Sequence, residues 1–117
     1  ENAHAVHLAT ADVHYYWRQR AGGDPPLADP TFAPLAASDL AGVCPCLAIS
    51  ADIDPLRDDA EAWCQRLRQH GVAAVAINEP GLVHGYLRAR HMSRRAAASF
   101  QRITDGISRL GRGLPLF

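Results

Sequence analysis

The sequence contains no lysine and no excess of either charge, because twelve arginines offset twelve aspartates and glutamates. A protein of zero net charge has no global field that gathers a nucleic acid or an anionic membrane from solution. No apolar run approaches the ~18 residues of a membrane-spanning helix. Residues 1–8 also lack the basic stretch and long apolar segment of a targeting signal. These absences exclude a broad polyanion partner and predict neither a nucleic-acid ligand nor a membrane span.

Cysteine is scarce, with three residues in the chain. An odd number cannot pair completely, and Cys44, Cys46 and Cys64 lie within apolar patterns rather than in a spaced disulfide framework. Cys44-Pro45-Cys46 also lacks the Cys-x-x-Cys spacing. Alternation along a strand would point both of its thiols to one face as small core residues. We therefore expect reduced thiols, no redox role and a cytoplasmic location.

The composition, 48% hydrophobic and 21% charged over 117 residues, is that of one globular domain. Residues 1–43 predict a helix and a proline-rich loop that lead into the sheet. The helix begins near Thr10 or Asp12 and ends at Gly22-Gly23. A further helical turn is expected at Ser38 to Leu40. Between the first helix and this turn, four prolines exclude long regular structure: Pro25, Pro26, Pro30 and Pro34.

Residues 44–117 predict strand, helix, strand and helix. Cys46 to Ala51 is a short apolar run typical of a strand buried on both faces. The next helix begins at Asp58-Asp59-Ala60-Glu61, which has the form of a capping box, and ends at Gly71. Val72 to Ile77 predicts the second strand. Because one helix connects them, the two strands must be parallel and form a βαβ unit.

The last predicted helix covers residues 93–110 and packs on the sheet. Its apolar stripe consists of Ala96, Phe100, Ile103, Ile107 and Leu110.

The fold class is therefore α/β, but the predicted sheet is incomplete on its own. Two parallel strands cannot cover both faces or satisfy both outer edges. We expect the rest of the sheet to come from a missing N-terminal portion or from a complementing chain. The apolar strand at Val72 to Ile77 could also pair at its edge with a second copy, which makes a homodimer plausible.

Two polar loops follow the predicted strands, at residues 52–58 and 79–86. In a parallel sheet, functional groups collect in the loops beyond the carboxyl ends of the strands. The first loop contains Asp52 and Asp54, and the second contains His84. A carboxylate and an imidazole that are far apart in sequence can therefore meet at this edge of the sheet.

These loops resemble the C-terminal part of the α/β-hydrolase fold, in particular the hormone-sensitive-lipase-like esterases. The resemblance rests on Asp54-Pro55-Leu56-Arg57-Asp58, on the helix that ends in His70-Gly71, and on Pro80-Gly81-Leu82-Val83-His84-Gly85-Tyr86. It implies a Ser-His-Asp mechanism on an ester substrate without a cofactor. By this resemblance Asp54 fixes the tautomer of His84, and His84 takes the proton of a serine.

The remaining polar residues of the two loops receive structural assignments. Asp52 is the second choice for the acid and is otherwise expected to tighten its own turn. Asp58 and Asp59 are expected to start the helix. Tyr86 is expected to pack rather than to take part in catalysis.

The nucleophile of that family is absent from this sequence. No Gly-x-Ser-x-Gly and no His-Gly-Gly-Gly loop occurs. The resemblance therefore implies that this chain supplies Asp54 and His84 of a carboxylic-ester hydrolase, that other polypeptide supplies the serine, and that the isolated chain is inactive. The alternatives are a non-catalytic binding or assembly module and a serine peptidase, both with the same fold.

Two other groups of polar residues have weaker functional interpretations. His4, His7 and His14 match no compact metal-site spacing, so no metal is expected. An arginine-rich patch follows the second loop, but it lacks the interleaved aromatic residues of a base-stacking surface and is typical of a solvated helix entrance. The patch consists of Arg88, Arg90, Arg94 and Arg95.

Overall fold

A computed structural model describes residues 2–116. Its regular elements, in chain order, are α1 (Thr10–Ala21), β1 (Cys46–Ile53), α2 (Arg57–Gln69), β2 (Ala74–Val83) and α3 (Arg94–Gly111), with 3-10 turns at Pro34–Ala36 and Tyr86–Ala89. β1 and β2 pair in parallel and α2 connects them, so the predicted α/β class and the βαβ unit are confirmed. No helix within residues 2–116 is long and apolar enough to cross a membrane.

The two faces of the sheet pack against different helices. Cys46 and Ala48 point toward α2, where a core forms around Leu40, Cys64 and Leu67. Leu47 points to the opposite face, because side chains alternate along a strand. There its side chain lies against Gly106 of α3. The short sheet is thus sandwiched between α2 and α3, and this arrangement fixes the positions of both strand ends.

The start of α2 differs from the prediction. The helix begins at Arg57 with Leu56 as the N-cap residue, and no side chain caps it, so the capping box at residues 58–61 is wrong. The Asp58 carboxylate contacts Arg57, and Glu61 pairs with Arg68. The physical reason is that Asp54 already accepts the Leu56 amide in a tight turn. That turn starts the helix before Asp58 is reached.

The helical turn also lies earlier than expected, at Pro34–Ala36 rather than at Ser38 to Leu40. Pro34 stands at the first position of the turn, where its fixed φ suits a helix and its missing N–H costs no hydrogen bond. Asp39 instead accepts the backbone N–H of Ala41 in a local turn. Leu40 is 5% exposed and belongs to the core beneath α2.

α3 has the predicted position, but only part of its predicted apolar stripe packs: Ala96 is buried, and Ile103 and Leu110 are half-buried. Phe100 and Ile107 are 40% and 65% exposed, whereas Ala96, Ser99 and Gly106 are buried. Small residues bring the helix close to the sheet, which leaves the bulky ones at its sides.

The expected core position of Cys44 is also wrong. Cys44 precedes β1 and is exposed, while Cys46 within β1 is half-buried. Pro45 lies between them and donates no backbone hydrogen bond, so the strand ladder begins only at Cys46. Alternation along a strand therefore does not apply to Cys44.

Candidate active site

The carboxyl ends of β1 and β2 lie side by side because of an irregularity in their pairing. Residues 46–51 of β1 pair in steady register with residues 74–79 of β2, but Ile53 then pairs with Val83. β1 advances by two residues over this interval while β2 advances by four. The next residues along the two strands are Asp54 and His84. The β-bulge therefore brings these two residues level at the edge of the sheet.

Asp52 and Gly81 hold the bulge in place. Gly81 has a φ of 68°, which a residue with a Cβ rarely adopts, and its N–H donates to Asp52 Oδ2 at 3.0 Å. Asn78 donates to the other oxygen of Asp52 at 3.2 Å. The Gly81 N–H, then the Asn78 amide and the Arg57 charge, hold the pKa of Asp52 below its ordinary value. Asp52 thus braces β2 rather than its own turn.

Asp54 is buried at the junction of β1 and α2, where it is 7% exposed. Its Oδ1 accepts the backbone N–H of Leu56 at 2.9 Å, so one carboxylate oxygen is committed to the turn. Its backbone carbonyl accepts from the Arg57 N–H at 3.1 Å. The side-chain amide of Asn2 reaches the same loop and donates to the carbonyl of Asp52 at 2.8 Å. These contacts leave Oδ2 as the oxygen that faces β2.

His84 meets that oxygen, because its Nδ1 lies 2.7 Å from Asp54 Oδ2. An ionised carboxylate only accepts hydrogen bonds, so Nδ1 carries the proton and donates it. The other ring nitrogen, Nε2, then holds a free lone pair. The imidazole is 43% exposed while the carboxylate is almost fully covered. The arrangement can therefore accept a proton from a group that approaches His84 from the open side.

The structure brings together Asp54 and His84, and it leaves the other acidic residues of the loop apart. Asp58 is exposed and contacts Arg57. Asp59 lies in the first turn of α2, where burial, then Asp58 and Asp54, raise the pKa of its carboxyl. Gly85, directly after His84, has a φ of 75° and lets the chain turn sharply into the Tyr86–Ala89 segment.

A cavity opens beside the exposed edge of His84. Its volume is about 630 Å³, and Tyr16, Tyr86 and Arg88 contribute to its walls. His7 lines the same cavity and has a φ of 74°. The helix α1 therefore contributes to the space next to the imidazole, although it lies far from β2 in sequence.

The three histidines considered for a metal have different surroundings. His4 is exposed, His7 lines the cavity, and His14 makes an edge contact with Trp17 at 5.4 Å between ring centroids. Within the part of the chain that the structure describes, no three His, Cys, Asp or Glu side chains are grouped closely enough to hold a metal ion.

Two polar contacts between α3 and the His84 segment are not apparent from the sequence analysis. Glu79 of β2 is 4% exposed and accepts from Arg102, whose Nε lies 2.9 Å from Oε1 and whose Nη2 reaches Oε2. The Tyr86 hydroxyl lies 2.6 Å from the Ser99 hydroxyl, which is wholly buried. One signal could have revealed the first contact. A glutamate within an apolar strand needs a cationic partner, because buried charges are rarely left unpaired.

Comparisons with known proteins extend this description. Residues 1–88 match the family described as alpha/beta hydrolase fold. The arylesterase of Saccharolobus solfataricus is 38% identical over 69 residues, which are 59% of this chain and 22% of that protein. The carboxylesterase NlhH of Mycobacterium tuberculosis is 37% identical over 84 residues, which are 72% of this chain and 25% of that protein. This chain thus spans about a quarter or less of the curated relatives it matches.

A solved structure shows the same partial correspondence. The Pyrobaculum calidifontis esterase is 29% identical and superposes with a TM-score of 0.79 over 91% of this chain and 34% of that one. Both comparisons agree with the family that residues 54–58 and 80–86 predicted from their motifs. Because the family match covers well over half of the sequence, this chain belongs to the alpha/beta-hydrolase fold family.

Proposed function

We propose that this chain supplies the acid and the base of a Ser-His-Asp triad in a carboxylic-ester hydrolase of the hormone-sensitive-lipase-like type. Asp54 is the acid and His84 the base, and the nucleophilic serine comes from polypeptide outside this sequence. The observation that carries the proposal is the 2.7 Å contact between Asp54 Oδ2 and His84 Nδ1 at the paired ends of β1 and β2. The names of the matched relatives, arylesterase and carboxylesterase, support an ester as the substrate.

In the proposed reaction, Nε2 of His84 removes the proton of the serine hydroxyl as its oxygen attacks the ester carbonyl. The same proton then passes from His84 to the leaving alcohol, and an acyl-serine remains. Water, deprotonated by His84, attacks this acyl group. The bond to the serine oxygen then breaks, that oxygen takes the proton back from His84, and the carboxylic acid is released. Asp54 holds the imidazole in the correct tautomer and stabilises the positive charge that His84 acquires.

The direct test uses the complete polypeptide that contains this chain, with p-nitrophenyl acetate and butyrate as substrates. His84→Ala and Asp54→Asn should each lower kcat by about 10³ to 10⁴, the second because an amide stabilises the wrong histidine tautomer. Asp58→Asn is the matched control, because the Asp58 side chain is exposed and contacts Arg57 rather than His84. It should retain wild-type activity. Asp52→Asn tests the second choice for the acid: its amide oxygen can still accept from the Gly81 N–H, so activity should stay within roughly tenfold of the wild type.

Four results would count against this assignment. The first is near-normal hydrolysis by Asp54→Asn. The second is a loss in Asp52→Asn as large as that in Asp54→Asn, which would transfer the role of the acid to Asp52. The third is a complete polypeptide without a Gly-x-Ser-x-Gly segment and without ester hydrolysis, which would favour a binding or assembly module. Faster turnover of p-nitroanilide amides than of esters would favour a peptidase.

A further inference from the structure

We propose that α3 positions His84 through two contacts, one on each side of it, and that Ser99, Arg102, Glu79 and Tyr86 are positioning residues of the active site. This proposal rests on the proposed function, because it concerns the orientation of the same imidazole. It adds a role for Ser99 and Arg102 of α3, for Glu79, which had no assignment, and for Tyr86, which was expected only to pack.

The backbone departs from regular strand geometry on both sides of His84. Gly85 has a left-handed φ of 75°, and the turn that it begins is closed by the Arg88 N–H, which donates to the Gly85 carbonyl at 3.1 Å. On the other side of His84, the pairing of β2 with β1 is interrupted at the Gly81 bulge and resumes only at Val83. The imidazole thus sits between a bulge and a left-handed turn.

The first contact lies on the strand side of these bends. Arg102 donates hydrogen bonds from two nitrogens to the buried carboxylate of Glu79. Such a two-point contact between a planar guanidinium and a planar carboxylate fixes orientation as well as distance. It also raises the pKa of Arg102, chiefly through the hydrogen bond to Glu79. The last residue of β2 that pairs with β1 before the bulge is therefore held by α3.

The second contact lies on the far side of His84. The Tyr86 hydroxyl and the Ser99 hydroxyl are 2.6 Å apart, and Ser99 is 0% exposed. Water therefore cannot reach the Ser99 hydroxyl. If the Tyr86 hydroxyl were removed, the buried Ser99 hydroxyl would lose its partner, which costs free energy. The Tyr86 ring also forms part of the wall of the cavity beside His84. Fixing its hydroxyl fixes the wall and the turn that follows the imidazole.

Both contacts originate from one face of one helix. Ser99 and Arg102 are three residues apart in α3, a spacing that places side chains next to each other. Gly106, one turn further along, brings this helix against the sheet at Leu47. α3 therefore acts as a rigid support whose position is set by the sheet and whose polar side chains hold the His84 segment before and after the catalytic base.

The test compares Tyr86→Phe and Ser99→Ala with matched controls in the complete polypeptide. Tyr15→Phe removes a hydroxyl from a ring that is 58% exposed, and Ser108→Ala removes one from an exposed position of α3. Misplacement of a catalytic group lowers the reaction rate by up to about 10²-fold. We therefore expect kcat to fall about 10- to 100-fold in Tyr86→Phe and Ser99→Ala. KM should change by less than about threefold, because substrate contacts are retained.

A second readout is independent of ester hydrolysis. In protein labelled with ¹⁵N-histidine, the Nδ1–H proton of His84 should be visible and slow to exchange, and it is assigned by its loss in His84→Ala. It should exchange at least about tenfold faster in Tyr86→Phe and Ser99→Ala, and in neither control. The double variant should show the same kcat and the same exchange rate as either single variant, because both changes remove the same contact.

Arg102 gives a separate test of geometry. Arg102→Lys keeps the charge but cannot reproduce the two-point contact, so it should lower kcat and speed the exchange as Arg102→Gln does. If Arg102→Lys has the kcat and the exchange rate of the wild type, a positive charge is sufficient at this position. Arg102 would then not be a positioning residue.

The outcomes separate this proposal from the proposed function. If ester hydrolysis is absent but Tyr86→Phe still accelerates the His84 exchange, the positioning stands and the esterase assignment falls. If Asp54→Asn is inactive while Tyr86→Phe and Ser99→Ala keep wild-type kcat and exchange, the positioning falls and the esterase stands. Should Ser99→Ala unfold, Tyr86→Phe decides alone, because it removes a single oxygen from a half-buried ring.

Discussion

Replacing Gly106 by alanine tests whether α3 depends on close contact with the sheet. Gly106 is buried in the middle of α3, and a Cβ built there would lie 2.3 Å from Cδ2 of Leu47. Carbon atoms in good contact are separated by about 3.5–4.0 Å, so the new methyl group overlaps Leu47 by more than about 1 Å. Either Leu47 leaves its rotamer or the helix moves outward.

The expected magnitude is the difference between two opposing effects. Overpacking of this kind costs about 1–3 kcal/mol. Alanine is a better helix former than glycine by about 1 kcal/mol in a helix interior. The net result for Gly106→Ala is destabilisation by about 1 kcal/mol, within a range of about 0–2. For a chain of this size, that corresponds to a lower Tm by roughly 3–5 °C.

The assay is thermal and urea unfolding followed by circular dichroism, with Gly111→Ala as the matched control. Gly111 is also in α3, but a Cβ there would meet nothing within 4 Å. Gly111→Ala should therefore be stabilising by about 0.5–1 kcal/mol, the reverse of Gly106→Ala.

Leu47→Ala sharpens the comparison, because it removes the group that the new methyl overlaps. In that background Gly106→Ala should become stabilising by about 1 kcal/mol. If Gly106→Ala stabilises the wild type as much as Gly111→Ala does, Leu47 yields freely and close packing of α3 on β1 is not required.

Two further predictions concern the pH dependence of stability and the reactivity of the thiols. The Gly81 and Asn78 hydrogen bonds lower the pKa of Asp52, so its stabilising contribution is complete above the ordinary carboxyl pKa of about 4 and is lost as the pH falls through the lowered pKa. Urea unfolding from pH 7 to pH 2 should show a smaller acid-side loss in Asp52→Asn than in the wild type, and parallel curves would contradict this reasoning. Burial raises the pKa of the Cys64 thiol, while Cys44 is exposed. A disulfide reagent should therefore label Cys44 rapidly and Cys64 only after unfolding, and equal rates in the folded protein would refute the difference.

Much of the architecture followed from local sequence patterns. The apolar run from Cys46, the buried pair Cys64 and Leu67 spaced at i and i+3, and the glycine at position 71 together predicted strand, helix and helix stop. These patterns are informative because they reflect backbone geometry and burial, which neighbouring residues largely determine. The errors concerned the ends of elements and the packing face of α3. β2 runs from Ala74 to Val83 rather than from Val72 to Ile77, because it pairs with β1 again beyond the bulge. At α2 an aspartate four residues earlier, Asp54, took over the role expected of Asp58.

The candidate acid and base were also named from the sequence. The position of loops beyond parallel strand ends predicted that a carboxylate and an imidazole can meet at one edge of the sheet, and the resemblance to the hydrolase family singled out Asp54 and His84. The sequence did not show how the two side chains come level. Continuing the regular pairing of Ala51 with Glu79 would place Ile53 opposite Gly81 and leave His84 beyond Asp54 by two residues, or about 7 Å. The bulge removes this offset. It depends on the cross-strand contact between Asp52 and Gly81, which no pattern within either strand reveals.

The support from α3 was decided by tertiary structure alone. Its apolar stripe predicted the packing face, but two members of that stripe, Phe100 and Ile107, are exposed, whereas Ser99 and Gly106 are buried. Gly106 allows the helix to approach Leu47 closely. Only that approach brings Arg102 to Glu79 and Ser99 to Tyr86. The sequence by itself therefore determined which main helices and strands form and which two loops bring the candidate acid and base together. The three-dimensional packing determined how the base is aligned, because alignment depends on distances between residues that are remote along the chain.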